Sequence, residues 1–392
     1  MNERPRTGVA IITPNPTPYR VGLFRRIAQF EDIALKVYFL TGDSPTRPWK
    51  VDLGGFEHEF LPEVSIPVGG KDKARYRINP SILSRFAERP PAVTVIAGYN
   101  HFTTQLAIIY SVLNGIPWCL MSESHIAKKR SRFKVAVKHL LLAPVLRTMS
   151  VAMVTGTLSR KYMESMGIPP ERCFVVANTP DVTALKDAAA RLAPERDKVR
   201  TRFGVGGKKT ILFVGRLLEV KGVRVLFDAF EKARTKRSDL ALLVVGDGAG
   251  RKTFEQLAES KGLWDAHFLG FRSQEELPEI YAAADLFVLP SLSEPWGVVV
   301  NEAMASGLPI VASDQVGAAA DLVEDGQNGR VVAAGSADAL AEAILDVFSN
   351  ETRRKEMGER SSRIMNNWDY ETSAMNFHAA IETALRGKGG RE

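Results

Sequence analysis

Two carboxylates lie eight positions apart in the stretch Glu294-Pro-Trp-Gly297-Val-Val-Val-Asn-Glu302-Ala-Met-Ala-Ser-Gly307-Leu-Pro309. Glu294 falls in a Pro/Gly turn directly after the apolar segment 285–290, which predicts a buried strand. Glu302 falls one to two turns inside a predicted amphipathic helix, which Gly307 and Pro309 end. A strand, a turn and a helix in this order predict one unit of an α/β fold.

The start of that predicted helix is also expected to bind an anion. The N–H groups of Gly297, Val298 and Val299 have no acceptor within the helix, and they lie at the positive end of its dipole. Carboxylates on both sides of a bound anion favour hydroxyl groups on both sides of the ligand. A nucleoside diphosphate sugar has this layout, with phosphate in the middle and polyols at either end.

The stretch resembles the Glu-x7-Glu motif of retaining glycosyltransferases of family 4, the group 1 glycosyltransferases, which have the two-domain GT-B fold. Three more segments are similar to signatures of that family. They are Val214-Gly215-Arg216-Leu-Leu-Glu-Val-Lys221-Gly222, Val245-Gly246-Asp247-Gly248, and the nucleotide-base region 267–290 with Gly270-Phe271. They follow one another in the family's order over residues 205–330, whereas the N-terminal half resembles the family more loosely.

The resemblance implies an α/β protein with two doubly wound Rossmann-like domains that face a cleft. Residues 1–180 correspond to the acceptor-binding domain and residues 181–367 to the domain that binds the nucleotide sugar. The final helix, 368–386, is expected to cross back to the first domain, and the turn cluster 178–181 is the expected hinge. The alternation of predicted strands and helices independently indicates parallel sheets.

The resemblance also implies roles for individual residues. Arg216 and Lys221 would hold the diphosphate and stabilise the charge on the departing nucleotide. Glu294 would contact hydroxyls of the donor sugar, and Glu302 those of the ribose. Arg216, Lys221 and Glu294 are the expected catalytic residues of this domain. The residues expected to bind the donor are Gly215, Phe271, Arg272, Gly297, Val298, Val299 and Glu302. The segment 270–272 is expected to contact the base through backbone atoms.

The first domain departs from the family pattern. The family often has a Gly-Gly loop after the first strand, where this chain has Pro14-Asn-Pro-Thr-Pro18-Tyr-Arg20, so Arg20 is a candidate to supply charge instead. The family often places a histidine after the strand that here ends at Met121. Strand register puts Glu123 at that position and His125 two residues later; the sequence leaves open which of them faces the cleft. The cluster 98–101, which ends in a histidine, is a second candidate on the acceptor side.

The implied activity is retaining hexosyl transfer from a UDP- or GDP-linked sugar to a glycan or lipid-linked acceptor in cell-surface polysaccharide or glycolipid synthesis. No cofactor is expected, and no metal, because no Asp-x-Asp pair ends a predicted strand. Two alternatives remain. A sugar-nucleotide 2-epimerase of the same architecture would exchange the proton at C2 of the donor without an acceptor. A non-catalytic binding protein would bind the donor tightly without turnover.

Charge is unevenly distributed along the chain. The net charge is +7, and residues 124–163 contain no Asp or Glu. Within them, 132–146 predicts a basic amphipathic helix, so that 128–147 is expected to contact an anionic membrane surface; a solvated helix face is the alternative. Nucleic-acid binding is not expected, because no recognised module or aromatic–basic interleaving occurs.

The remaining expectations concern compartment and local structure. The apolar run 9–12 is only strand length and no run spans a bilayer, so a cytoplasmic protein is expected, peripheral to the membrane if 128–147 binds it. Cys119 and Cys173 are expected as buried, reduced thiols. The segment 64–77 is predicted to be a polar loop, Asn79 or Ser81 is predicted to cap a helix that ends at Glu88, and 184–203 is predicted to be charged and helical.

Overall fold

The computed structural model describes residues 6–42, 51–68, 74–124 and 142–387. The chain forms two compact units. Unit 1 comprises Met1–Thr155, Ser159–Asn178 and Tyr370–Glu392, and unit 2 comprises Gly156–Leu158 and Thr179–Asp369. Apart from the short segment 156–158, the chain therefore passes from unit 1 to unit 2 within the turn cluster 178–181, and the helix Tyr370–Arg386 belongs to unit 1.

The elements of unit 1 alternate between strands and helices. Its strands are β1 Thr7–Thr13, β2 Ile33–Phe39, β3 Glu57–Phe60, β4 Val64–Val68, β5 Ala74–Ile78, β6 Val93–Ala97, β7 Trp118–Ser122, β8 Val151–Val154 and β9 Cys173–Val175. Its helices are α1 Pro18–Ile27, α2 Ile82–Glu88, α3 Phe102–Leu113, α4 Thr157–Ser165 and α14 Tyr370–Arg386, and residues 142–147 are also helical. A 3₁₀ turn, Pro170–Arg172, precedes β9.

Seven of these strands form one parallel sheet in the order β3-β2-β1-β6-β7-β8-β9. One face of the sheet packs on α1 and α14 through side chains such as Phe24, Phe377 and Ile381. The other face is covered by α2, α3, residues 142–147 and α4. The central strands β6, β7 and β8 are buried on both faces, as expected inside a doubly wound sheet, whereas the edge strand β3 is largely exposed.

One local prediction in unit 1 is wrong, and the structure decides between the alternatives of another. The segment predicted as a polar loop contains β4 and β5, which pair antiparallel in a separate hairpin; the alternating apolar residues Val64, Ile66 and Val68 are the strand signal that was overlooked. Of the two candidates for the cap of α2, Ser81 holds the N-cap position, without a hydrogen bond from its side chain. Asn79 does not cap the helix: its side-chain amide donates to the carbonyls of Leu40 and Leu61, each at 3.1 Å.

The elements of unit 2 follow the same alternation. Its strands are β10 Lys209–Val214, β11 Leu240–Val245, β12 Ala266–Gly270, β13 Leu286–Leu289, β14 Ile310–Ser313 and β15 Gly329–Val332. Its helices are α5 Val182–Leu192, α6 Arg196–Arg202, α7 Val223–Lys236, α8 Arg251–Ser260, α9 Leu277–Ala283, α10 Val298–Ala305, α11 Ala319–Leu322, α12 Ala337–Phe348 and α13 Glu351–Ile364. Short 3₁₀ turns lie at Ala193–Glu195, Glu219–Lys221 and Met365–Asn367.

The six strands form a parallel sheet in the order β12-β11-β10-β13-β14-β15. The strand order reverses between β10 and β13, and ligands of such sheets bind at the carboxyl ends of strands next to that reversal. The predicted α/β class with two Rossmann-like halves is confirmed. The helix predicted over 184–203 is two helices, because Pro194 lacks an N–H and lies in the turn between α5 and α6.

A buried cluster of charges anchors the amino end of β13. Asp285 is 2% exposed and forms ion pairs with Arg196, Arg200 and Arg354 at 2.9, 3.0 and 3.0 Å. The cluster joins α6, α13 and the start of β13. The strand is therefore held at one end, which fixes where its other end presents the loop that follows.

Cys119 and Cys173 are free and buried, as predicted, and burial raises the pKa of the Cys119 thiol to about 12. Within the described ranges, every helix is too short or too polar to cross a bilayer.

Candidate functional site

The loop after β13 turns sharply into α10 at Gly297. Its φ of 95° lies in the left-handed region, and a Cβ atom there would lie 3.1 Å from Glu294 Cγ and 3.2 Å from Leu289 Cδ2. Only glycine fits this turn without strain. The first turn of α10 leaves the N–H groups of Val298 and Val299 without an intrahelical acceptor, and both residues are half-buried. A helix therefore starts where the sequence predicts one, and the anion site at this start stays a prediction.

A second loop, after β10, brings Lys221 to Glu294. The 3₁₀ turn Glu219–Lys221 ends at Gly222, which has a φ of 73° and where a Cβ would lie 2.1 Å from the Pro290 carbonyl oxygen. The Leu292 N–H donates to the Val220 carbonyl at 2.8 Å, so the two loops are hydrogen-bonded. Lys221 Nζ forms an ion pair with Glu294 Oε2, and their side chains are 14% and 13% exposed. Lys221, expected to hold the diphosphate, and Glu294, expected to contact the donor sugar, thus form one ion pair.

Arg216 occupies a different environment. It follows Gly215 at the carboxyl end of β10, and its side chain is exposed. Within the described part of the chain, this guanidinium has no hydrogen-bond or ion-pair partner. The positive charge of Arg216 is therefore available to an anion at this edge of the sheet, whereas the charge of Lys221 is already paired with Glu294.

Glu302 is buried rather than facing solvent. It is 7% exposed, and Tyr281 Oη donates a hydrogen bond to its Oε2 at 2.7 Å. Burial raises the pKa of Glu302 to about 7, and the hydrogen bond from Tyr281 partly opposes that rise. Burial, together with the nearby carboxylate, raises the pKa of Tyr281 well above its ordinary value.

The prediction that α10 is amphipathic is wrong. All residues from Val300 to Ala305 are buried, because the helix packs on β13 and β14 and against α5 and α13. A helix buried all round tolerates a carboxylate only where a hydrogen bond or a ligand compensates its charge.

The predicted base-binding segment lies at the carboxyl end of β12. Phe271 is 43% exposed. Arg272 forms an ion pair with Glu276 at 2.9 Å, and the other oxygen of that carboxylate accepts from the Ser273 N–H at 2.8 Å. The Arg272 side chain is thus directed to its own turn, which leaves the backbone of the segment as the part that could contact a base.

In unit 1, Glu123 lies just beyond β7 and is bound by two other residues. Arg20 of α1 forms an ion pair with it at 2.7 Å, and Asn178 Nδ2 donates to the same Oε1 at 2.9 Å. Arg20 also donates to Thr13 Oγ1 at 2.9 Å. These contacts join the carboxyl ends of β1, β7 and β9. Arg20, considered as a source of charge for phosphate, therefore has Glu123 as its counter-charge.

Some predicted residues lie outside the described residues, namely His125 and positions 128–141 of the basic segment. Within the described ranges, no group of three or more His, Cys, Asp or Glu residues is arranged to hold a metal ion. His101 immediately precedes α3 and its side chain does not cap the helix.

Sequence reasoning missed Tyr281 and Asn178. Tyr281 lies in α9, and no periodicity relates it to a residue in α10. Asn178 appeared only as part of a turn cluster. Trp296 is buried, as a packing role requires: it is 3% exposed and stacks on Trp368 with ring centroids 5.4 Å apart.

Comparisons with known proteins find glycosyltransferases similar to this chain. Residues 195–363 match the sequence model of a family described as Glycosyl transferases group 1. The D-inositol 3-phosphate glycosyltransferase of Corynebacterium kroppenstedtii is 34% identical over 226 residues, which cover 55% of this chain and 49% of that protein. A GDP-mannose-dependent alpha-(1-6)-phosphatidylinositol monomannoside mannosyltransferase of Mycolicibacterium smegmatis is 32% identical over 195 residues, which cover 46% of this chain and 50% of that protein.

A solved structure is similar over nearly the whole chain. The crystal structure of Anabaena Alr3699/HepE in complex with UDP has a TM-score of 0.74 and 20% identity, covering 96% of this chain and 100% of that chain. At this identity the likeness shows the fold alone, which is the predicted GT-B fold. The chain spans about half the length of the curated relatives it matches. The match of residues 195–363 and these curated relatives support the superfamily of group 1 glycosyltransferases.

Proposed function

We propose that this protein transfers a sugar, with retention of anomeric configuration, from a nucleoside diphosphate sugar to a glycan or lipid-linked acceptor in the synthesis of a cell-surface polysaccharide or glycolipid. One observation carries the proposal. Glu294, which is paired with Lys221, lies in the loop directly before α10, and α10 itself carries the buried Glu302. This arrangement lies within residues 195–363, which match the group 1 glycosyltransferase family.

The proposed donor fits this site by chemistry. The diphosphate is an anion, and it would be bound by Arg216, Lys221 and the N–H groups at the start of α10. Glu294 would accept hydrogen bonds from hydroxyls of the donor sugar. Its carboxylate has about four lone-pair positions, and the ion pair with Lys221 leaves some of them unoccupied. Glu302 would accept hydrogen bonds from the two ribose hydroxyls.

The proposed reaction needs little covalent chemistry from the protein. The bond between the anomeric carbon and the distal phosphate oxygen breaks, and the acceptor oxygen bonds to that carbon on the same face. The proton of the acceptor hydroxyl passes to the leaving diphosphate. Arg216 and Lys221 stabilise the negative charge that develops on this group. No strong protein base and no divalent cation are required in this proposal, and activity is expected to persist in excess EDTA.

We assign the acceptor to unit 1 and a membrane contact to the basic segment 128–147. Support for the first is the polar cluster of Arg20, Glu123 and Asn178 at the carboxyl edge of its sheet. Support for the second is composition: a basic amphipathic pattern is attracted to anionic lipid. Co-sedimentation with vesicles of anionic lipid, but not with vesicles of neutral lipid, is the expected result. Equal binding to both would contradict the membrane assignment.

The donor is proposed to carry uridine or guanosine. Support comes from proteins similar to this one, of which one was crystallised with UDP and another is described as GDP-mannose-dependent. The test is the thermal shift of the purified protein with UDP, GDP, ADP, CDP and their common sugar conjugates. A ligand at about 100 times its dissociation constant adds about 2.7 kcal/mol to stability. We expect a clear shift with UDP or GDP; no shift with any nucleotide would contradict the proposed function.

A further inference from the structure

Tyr281 belongs to none of the motifs that identify the site, yet it is in direct contact with Glu302. Its hydroxyl donates to Glu302 Oε2 at 2.7 Å. The two side chains are 1% and 7% exposed, so the hydrogen bond is shielded from water. A hydrogen bond from a neutral donor to a buried carboxylate is stronger than the same contact at a surface.

The hydrogen bond leaves most of the carboxylate available. A carboxylate has about four lone-pair positions, and the Tyr281 hydroxyl occupies one of them on Oε2. Within the described residues, no other side chain donates to this carboxylate. Glu302 can therefore accept two more hydroxyl groups while Tyr281 holds it in one orientation.

The ring of Tyr281 is itself firmly held. Its centroid lies 6.4 Å from that of Phe287 in β13, with the rings tilted by 51°. The hydroxyl thus projects from a ring anchored on the sheet. An acceptor oriented before the ligand arrives loses less conformational freedom on binding, and this increases affinity.

We propose that Tyr281 is a positioning residue for ribose recognition: its hydroxyl holds the Glu302 carboxylate in the orientation that accepts both ribose hydroxyls of a nucleoside diphosphate. The inference rests on the proposed function, in which Glu302 binds the ribose. It adds a residue that acts on the ligand only through Glu302.

Isothermal titration tests this role with the full chain. UDP, GDP and their 2′,3′-dideoxy counterparts are titrated into the wild-type protein and into Tyr281→Phe, which keeps the packed ring and removes the hydroxyl. We expect the dissociation constant of the ribonucleotide that binds to rise about tenfold in the variant, about 1.4 kcal/mol. The dideoxy nucleotide, which offers no hydroxyls to Glu302, is expected to bind both proteins equally.

Two controls separate positioning from structural damage. Tyr110→Phe removes a hydroxyl that donates to the Phe86 carbonyl at 3.2 Å in unit 1, and it should change neither constant. In a Glu302→Gln background, Tyr281→Phe should no longer weaken the ribonucleotide selectively. If Tyr281→Phe weakens both nucleotide forms by the same factor, or neither, the positioning role is wrong while the proposed function stands. If the wild-type protein binds neither UDP nor GDP, the proposed function fails and this inference fails with it.

Discussion

Lys221 and Glu294 form an ion pair although 73 positions separate them in the chain. Both side chains are largely buried, so each charge depends on the other until a ligand arrives. A diphosphate bound at the start of α10 would offer Lys221 a second anionic partner. The ion pair therefore links the position of Lys221, which is proposed to neutralise the leaving group, to that of Glu294, which is proposed to contact the sugar.

Removal of the Lys221 ammonium should therefore abolish most turnover. We expect Lys221→Ala to lower kcat by about 100- to 1,000-fold, as happens when a group that stabilises developing negative charge is deleted. The variant should remain folded. Lys232→Ala is a matched control, because Lys232 pairs with Asp338 on the surface of α7. Near-normal turnover of Lys221→Ala in a steady-state assay would remove this residue from the site.

Stability should depend on pH through Glu302. Burial raises its pKa from 4.5 to about 7, so between these values the folded protein holds a proton that the unfolded chain has released. The contribution of Glu302 to the free energy of unfolding therefore falls as pH rises through this window, by about 3 kcal/mol in all. We expect Glu302→Gln to unfold at a higher temperature than the wild-type protein at pH 8 and to lose that advantage at pH 4.5.

Calorimetry of the two proteins across this range measures the effect in the absence of nucleotide. Glu342→Gln, an exposed substitution in α12, should follow the wild-type curve at every pH. Parallel curves for Glu302→Gln and the wild-type protein would mean that the Glu302 carboxyl titrates normally in the folded state.

Gly297→Ala should cost both stability and nucleotide binding. An alanine there must adopt a φ of 95°, and its Cβ must also displace Glu294, Leu289 or Val316. We expect a loss of about 1–3 kcal/mol, measured by urea unfolding. Gly307→Ala has a similar φ of 77° but nothing within 4 Å of its Cβ, so it should cost less and leave nucleotide binding intact. Equal losses in both variants would show that crowding at Gly297 is unimportant.

Glu123→Gln should affect the acceptor and not the donor. The substitution leaves Arg20, whose side chain is 12% exposed, without its counter-charge. We expect kcat/KM for the acceptor to fall at least ~10-fold, while the thermal shift with the donor nucleotide is unchanged, since unit 2 alone carries the proposed donor residues. Glu171→Gln, an exposed change in unit 1, is the control. A reduced nucleotide shift in Glu123→Gln would contradict this division of roles.

Prediction from sequence was most successful for strands, turns and helices that the spacing of apolar residues, glycines and prolines alone defines. The strand that ends at Leu289, the turn at Gly297 and the helix that carries Glu302 follow from apolar runs and glycine and proline positions, and each is present within one or two residues of its predicted bounds. The hairpin of β4 and β5 was missed, because a short amphipathic strand next to lysine and glycine resembles a loop. The break at Pro194 was missed, because charged residues on both sides favour a helix.

Contacts between distant elements could not be read from the sequence. The sequence by itself determined the α/β class, the order of its elements and which residues follow the strands, because these depend on local periodicity and turn chemistry. Only the tertiary structure decided that Lys221 pairs with Glu294, that Tyr281 donates to Glu302 and that Arg20 is bound by Glu123. Each of these contacts joins two elements whose relative position is set by how side chains pack on a sheet, and that packing has no period along the chain.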